Sequence, residues 1–287
     1  MFSGRAIELG RAVLALVAFY ATFAGLALTL HYAQTSMSEP AGWWNDAGRG
    51  LFAASVPALV AVVAVYLGLR RFGGWRADRL RIPSGTKLAR HLGVGVLWGG
   101  GLAGAVLGMT MVGGARVVIG AAQHETYLSV ALPVAAGLFL AAVLEELLFR
   151  GFPLARLARV AGPAAASVTL ALVFAFAHRA NPVVSTLGLV NIGLASLLIS
   201  AVFFSAGGLP AAVGVHFGWN AGLSLVADAP VSGLRFRLPG VEYLAGPRPW
   251  WTGGGFGPEG GGAAAVVLLA ALGWWWRRGF DERAVAR

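Results

Sequence analysis

Residues 128–150 read LSVALPVAAGLFLAAVLEELLFR. A run of this length spans a hydrocarbon core, which needs about 20 apolar residues. Near its end it carries two adjacent acids, Glu145 and Glu146. An ionised side chain at bilayer depth costs roughly 3 kcal/mol on the insertion scale, so two of them need partners or a task. Arg150 follows Glu146 by four residues, on the same helical face and with the acid on the N-terminal side, so this pair neutralises itself. Glu145 lies about 100° round the helix. It has no partner in its own helix, and another element has to meet it.

The rest of the chain fits this setting. Its 287 residues are 57% hydrophobic and 12% charged, with a mean hydropathy of +0.73, well beyond the apolar content of a soluble domain. The expected fold is all-α, a polytopic membrane protein forming a bundle of about eight transmembrane helices. The spans fall near 12–31, 51–69, 91–113, 128–159, 163–179, 186–206, 209–226 and 263–276. Residues 1–287 read as a single membrane domain, with core helices in 128–226. A long Gly-rich external loop, 227–262, reads as flexible, because Gly253-Gly254-Gly255 and Gly260-Gly261-Gly262 flank its distal part. Gly99-Gly100-Gly101, inside a span, suits close helix packing. There are no cysteines, which excludes disulfides and thiolate chemistry.

The net charge is +10. With the N-terminus inside, 16 of the basic residues fall on inner segments and 6 on outer ones, so both termini are expected in the cytoplasm. The expected partners are the lipid bilayer and a polypeptide substrate, with no nucleic acid. The Arg, Ala and Gly bias fits a GC-rich genome, and the expected location is a bacterial plasma membrane.

Helix four should continue through 151–159, kinked at Pro153, up to the turn at Ala161-Gly162-Pro163. Glu145 precedes that turn by about 16 residues and His178 follows it by about 16, so both lie roughly 24 Å along adjacent helices. His216 and Asn220 share a face of a later helix rich in small residues. A carboxylate beside an imidazole activates water as a general base. A second imidazole and an amide can stabilise an oxyanion. The set therefore fits peptide-bond hydrolysis by Glu145, His178, His216 and Asn220. Zinc on Glu145, His178 and His216 is the alternative, and metal-free water activation is preferred because the fourth group is an amide. His124-Glu125 resembles the start of a His-Glu-x-x-His helix, but position 128 is Leu, so it reads as loop. Phe174 reads as packing and Asn191 as a helix–helix contact.

Glu145-Glu146-x-x-x-Arg150, Phe174-x-x-x-His178 and His216-x-x-x-Asn220 together resemble the CPBP family of CAAX-processing and bacteriocin-processing intramembrane proteases, also called the Abi family. The resemblance covers about residues 128–226. It implies that Glu145 and His178 activate water, that His216 and Asn220 stabilise the oxyanion, and that Glu146 and Arg150 form a structural pair. The expected cleavage is in the cytoplasmic half of the bilayer. Two other functions fit a membrane protein with buried polar groups: a non-catalytic scaffold or immunity protein of the same fold, and a transporter.

Overall fold

The computed structural model describes residues 2–37, 47–73, 75–120 and 126–278. His124 and Glu125 lie outside the described residues. The helices are α1 (Phe2–Met37), α2 (Ala47–Phe72), α3 (Thr86–Val112), α4 (Tyr127–Phe149), α5 (Phe152–Ala161), α6 (Pro163–Ala177), α7 (Thr186–Phe204), α8 (Gly208–Ala227), the single turn α9 (Pro249–Thr252) and α10 (Gly262–Arg278). Among the described residues six helical stretches, from Ala6–Ala33 to Thr186–Phe204, are long and apolar enough to cross a membrane. The protein is a polytopic helical membrane bundle. One feature lay outside the all-α expectation, a small antiparallel sheet in which β1 (Arg116–Ile119) pairs with β2 (Val241–Leu244).

Helix α8 sits at the centre. It carries His216, Trp219 and Asn220, and most of its residues are buried. Glycine brings α3 against it. A Cβ on Gly95 would stand 2.6 Å from the Ala211 carbonyl oxygen, and one on Gly99 would stand 2.8 Å from the Trp219 amide nitrogen. From the other side, a Cβ on Gly214 or Gly218 would run into the Leu92 or Val96 carbonyl. Two small-xxx-small stripes therefore interlock at backbone contact, the arrangement by which helices associate where lipid offers no hydrophobic drive.

Helix α4 stops at Arg150, and α5 begins after Gly151. Proline at the second position of α5 accounts for the break, since it has no N–H to continue the ladder. A break inside an apolar bundle leaves carbonyls that must find donors. Tyr20 of α1 donates to the Leu148 carbonyl at 2.9 Å, and Tyr66 of α2 donates to the Leu147 carbonyl at 2.9 Å. The same Tyr66 hydroxyl accepts from the Phe152 amide. Phe19, Tyr66, Trp75 and Phe152 pack ring against ring around the break. Helix α6 starts tightly from Gly162 (φ 87°) with Pro163 as its first residue.

Residues 228–261 are folded and tied to the bundle, which corrects the expectation of flexibility. Phe256 and Tyr243 are 1% and 3% exposed. Asp228 ends α8 in the left-handed region (φ 49°) and its carboxylate accepts from the Leu238 amide at 3.0 Å. Most of these glycines serve close approaches: a Cβ on Gly253, Gly257 or Gly261 would strike backbone.

Candidate active site

Glu145 reaches the site from α4, His178 from the C-cap of α6, and His216 and Asn220 from α8. All four line one open cavity of about 320 Å³, together with Phe149, Asn181 and Ser232. The Glu145 Oε2 atom lies 4.0 Å from His178 Nε2 and 3.8 Å from His216 Nε2, and it is buried without a hydrogen-bond partner. The four residues expected from the sequence thus meet. Glu145 and His178 meet although the path between them is two helices, α4 and α5, joined by the break at Arg150–Gly151.

The hydrogen bonds fix the imidazole roles. His178 Nδ1 lies 2.8 Å from the Phe174 carbonyl oxygen. A carbonyl only accepts, so Nδ1 carries a proton, and Nε2 is the ring nitrogen that faces Glu145. His216 Nδ1 lies 2.8 Å from Glu146 Oε1. That oxygen also accepts from Arg150 Nη1 at 3.2 Å, so His216 Nδ1 is the donor. His216 Nε2 then donates only when the ring is an imidazolium, and it stands between the carboxylates of Glu145 and Glu146, which compensate that charge.

Glu146 and Arg150 are both 0% exposed. The Arg150 Nη2 donates to the Ser196 carbonyl at 2.9 Å and to its hydroxyl at 2.8 Å. The guanidinium lies 5.0 Å from the centroid of Phe174. The pair expected from i, i+4 spacing forms, and it also ties α4 to α7. The bond from His216 to Glu146 was invisible in the sequence, because 70 residues separate the two and neither motif spacing predicts it.

Phe174 is packing, as expected: it is 4% exposed and its ring centroid is 4.8 Å from that of Phe149. Asn191 differs from expectation. It donates to the carbonyls of Glu259 (2.7 Å) and Gly261 (2.9 Å), so it fastens a loop rather than a neighbouring helix. Glu259 was missed altogether. It is 8% exposed, accepts from Trp219 Nε1 at 2.7 Å, and reaches the site from within a Gly-rich stretch that shows no motif.

His178 ends α6 at the end of the bundle where Asn181 donates to the Ser232 carbonyl, and Ser232, Leu234 and Phe236 line the cavity. The site therefore adjoins residues 228–261, on the side opposite the α5–α6 turn.

Zinc on Glu145, His178 and His216 does not fit this arrangement. Among the described residues no three His, Asp or Glu side chains are gathered to hold a metal ion. The separations of 3.8 and 4.0 Å exceed the edge of about 3.4 Å expected for a tetrahedral shell with bonds near 2.1 Å.

Residues 127–222, the segment that holds Glu145, Glu146, Arg150, His178, His216 and Asn220, match the family model described as type II CAAX prenyl endopeptidase Rce1-like. No curated protein matches the chain.

Proposed function

We propose that the chain is an intramembrane endopeptidase acting on a membrane-associated polypeptide, because residues 127–222 match the family model described as type II CAAX prenyl endopeptidase Rce1-like. The observation that carries the reading is the buried, partnerless Glu145 Oε2 facing two imidazole Nε2 atoms across gaps of 3.8 and 4.0 Å. Those gaps are too long for direct hydrogen bonds and suit a water held between carboxylate and imidazole.

In this mechanism Glu145 takes a proton from the water while the His178 Nε2 lone pair orients it and shares the proton. The water oxygen attacks the scissile carbonyl carbon. The His216 imidazolium, held by Glu146, and the Asn220 amide donate to the resulting oxyanion. A donor of this kind is typically worth about 3 kcal/mol. Collapse of the tetrahedral intermediate breaks the C–N bond, and the proton held by Glu145 and His178 passes to the leaving amine. Glu146 acts as a positioning residue that holds and orients His216, and Arg150 holds Glu146. The topology that accompanies this reading is a bacterial plasma membrane protein with both termini cytoplasmic.

Comparative proteomics of membranes carrying wild-type protein or Glu145→Gln tests the reading. A precursor should accumulate only with the variant. A scaffold or immunity protein would keep its function in Glu145→Gln, and full cleavage of an identified substrate by that variant would refute the assignment.

A further inference from the structure

A second, narrow cavity of about 50 Å³ leads away from the catalytic groups. It shares His178, His216, Asn220 and Ser232 with the first and extends to Asn191, Trp219 and Glu259. Its walls are apolar, formed by Ile192, Ala195, Leu198, Ile199 and Leu268 among others. The polar residues at its far end form an unusual set.

Glu259 Oε1 accepts from Trp219 Nε1 at 2.7 Å, and Oε2 accepts from the Ser232 amide and from the Ser232 hydroxyl at 3.0 Å. All three donors are neutral. The ion pairs among the described residues give Glu259 no cation, whereas the buried acids Glu146 and Asp228 have Arg150 and Arg235. A buried carboxylate without a counter-charge is costly. Asn191 is 1% exposed. Its two amide hydrogens go to the carbonyls of Glu259 and Gly261. Carbonyls only accept, which fixes the orientation of the amide and turns its oxygen away from them. That oxygen, Oδ1, is buried with no hydrogen-bond partner. The cavity therefore offers a carboxylate and a free amide oxygen beside the catalytic donors of His216 and Asn220.

We propose that this cavity is a subsite for a slender cationic side chain, an ammonium or guanidinium on an apolar stem, with Glu259 as counter-charge and Asn191 Oδ1 as second acceptor. An anion would meet the carboxylate, and an aliphatic side chain would leave both acceptors unpaired. A lysine- or arginine-like chain lays its methylenes along apolar walls and delivers its donors at the tip. The assignment to a substrate residue next to the scissile bond rests on the peptidase reading. The ligand class does not.

Binding of n-butylguanidinium, the isosteric neutral n-butylurea and n-pentanoate to the full chain in detergent micelles, measured by calorimetry, tests it. The guanidinium should bind at least about tenfold tighter than the urea, and pentanoate weakest. Glu259→Gln, which keeps an oxygen for Trp219, should bring guanidinium and urea to parity. Glu145→Gln, which removes the carboxylate of the proposed catalytic site, should keep the preference. Should Glu259→Gln misfold, Leu198→Trp, which fills the cavity, should abolish guanidinium binding. Equal affinities in the wild-type chain, or a preference lost in Glu145→Gln and kept in Glu259→Gln, would overturn the proposal. Cleavage of a precursor without cation preference sinks the subsite alone. Cation preference in a chain that cleaves nothing sinks the peptidase reading alone.

Discussion

Gly99→Ala puts one methyl group between α3 and α8. That methyl would press on the Val215 carbonyl oxygen and stand 2.8 Å from the Trp219 nitrogen and 2.9 Å from the Val215 carbonyl carbon. Comfortable contacts begin at about 3.5 Å, so even the looser of these is short by roughly 0.6 Å. All three atoms are backbone of α8 and cannot swing aside, so α8 must move. Val215 and Trp219 immediately precede His216 and Asn220, so the shift is delivered to the site. Overpacking of this kind costs about 1–3 kcal/mol, and a chain of this size loses about 2–4 °C of melting temperature per kcal/mol. A displacement approaching 1 Å costs on the order of a hundredfold in rate, so turnover should fall between about tenfold and a hundredfold. The control lies two residues away: a Cβ on Gly101 meets nothing within 4 Å, and Gly101→Ala should behave as wild type. Tryptophan-fluorescence melting in micelles and precursor cleavage in membranes read the two effects. If Gly99→Ala matched Gly101→Ala in both, the interlocked stripes would not position the site.

Arg150→Ala leaves Glu146 buried beside His216 without its cation, a change worth about 3–5 kcal/mol; membrane yield and melting temperature should both fall, and normal accumulation would count against the pairing. Asn220→Ala removes one oxyanion donor and should leave a weak turnover, down about a hundredfold or more, at unchanged abundance; wild-type kcat would remove Asn220 from the mechanism. Burial pushes the Asp228 carboxyl above its usual range despite the Leu238 amide and Arg235. A raised carboxyl stabilises the fold below its unfolded pKa, and that contribution is lost as pH rises through the folded value. Asp228→Asn, which keeps an acceptor for Leu238, should therefore gain melting temperature relative to wild type as pH rises from 4 to 8; a difference independent of pH would refute this.

Local spacing made part of the site legible. Glu146 and Arg150 are one helical turn apart, and so are His216 and Asn220, and four-residue spacing on a helix needs no tertiary knowledge. Counting from the Gly162–Pro163 turn brought Glu145 level with His178, and the two do line one cavity in spite of the break at Arg150–Gly151. What stayed hidden depends on distant chain segments. The bond from His216 to Glu146 joins helices with no shared motif. Glu259 sits among glycines that look loose by composition, but whose missing side chains let the backbone pass close to Trp251 and Pro230. Charge asymmetry orients spans without saying at which end of them a cavity opens. Small residues on α3 and α8 signalled close packing. Which glycine meets which carbonyl depends on the relative rotation of the two helices, and no pattern in either one specifies it.

The tyrosine hydroxyls at the α4–α5 break set a limit on modularity. The segment from 127 to 222 holds the proposed catalytic groups, but the Leu147 and Leu148 carbonyls beside Glu145 and Glu146 are closed by Tyr66 and Tyr20, from helices far upstream. Excised or grafted into another bundle, that segment would carry two bare acceptors at the joint that aims its acids. A transplant would have to bring two phenols at the right height, or accept a straightened helix whose acids point elsewhere. The upstream helices are in this sense part of the active-site framework, although they contribute none of its proposed catalytic residues.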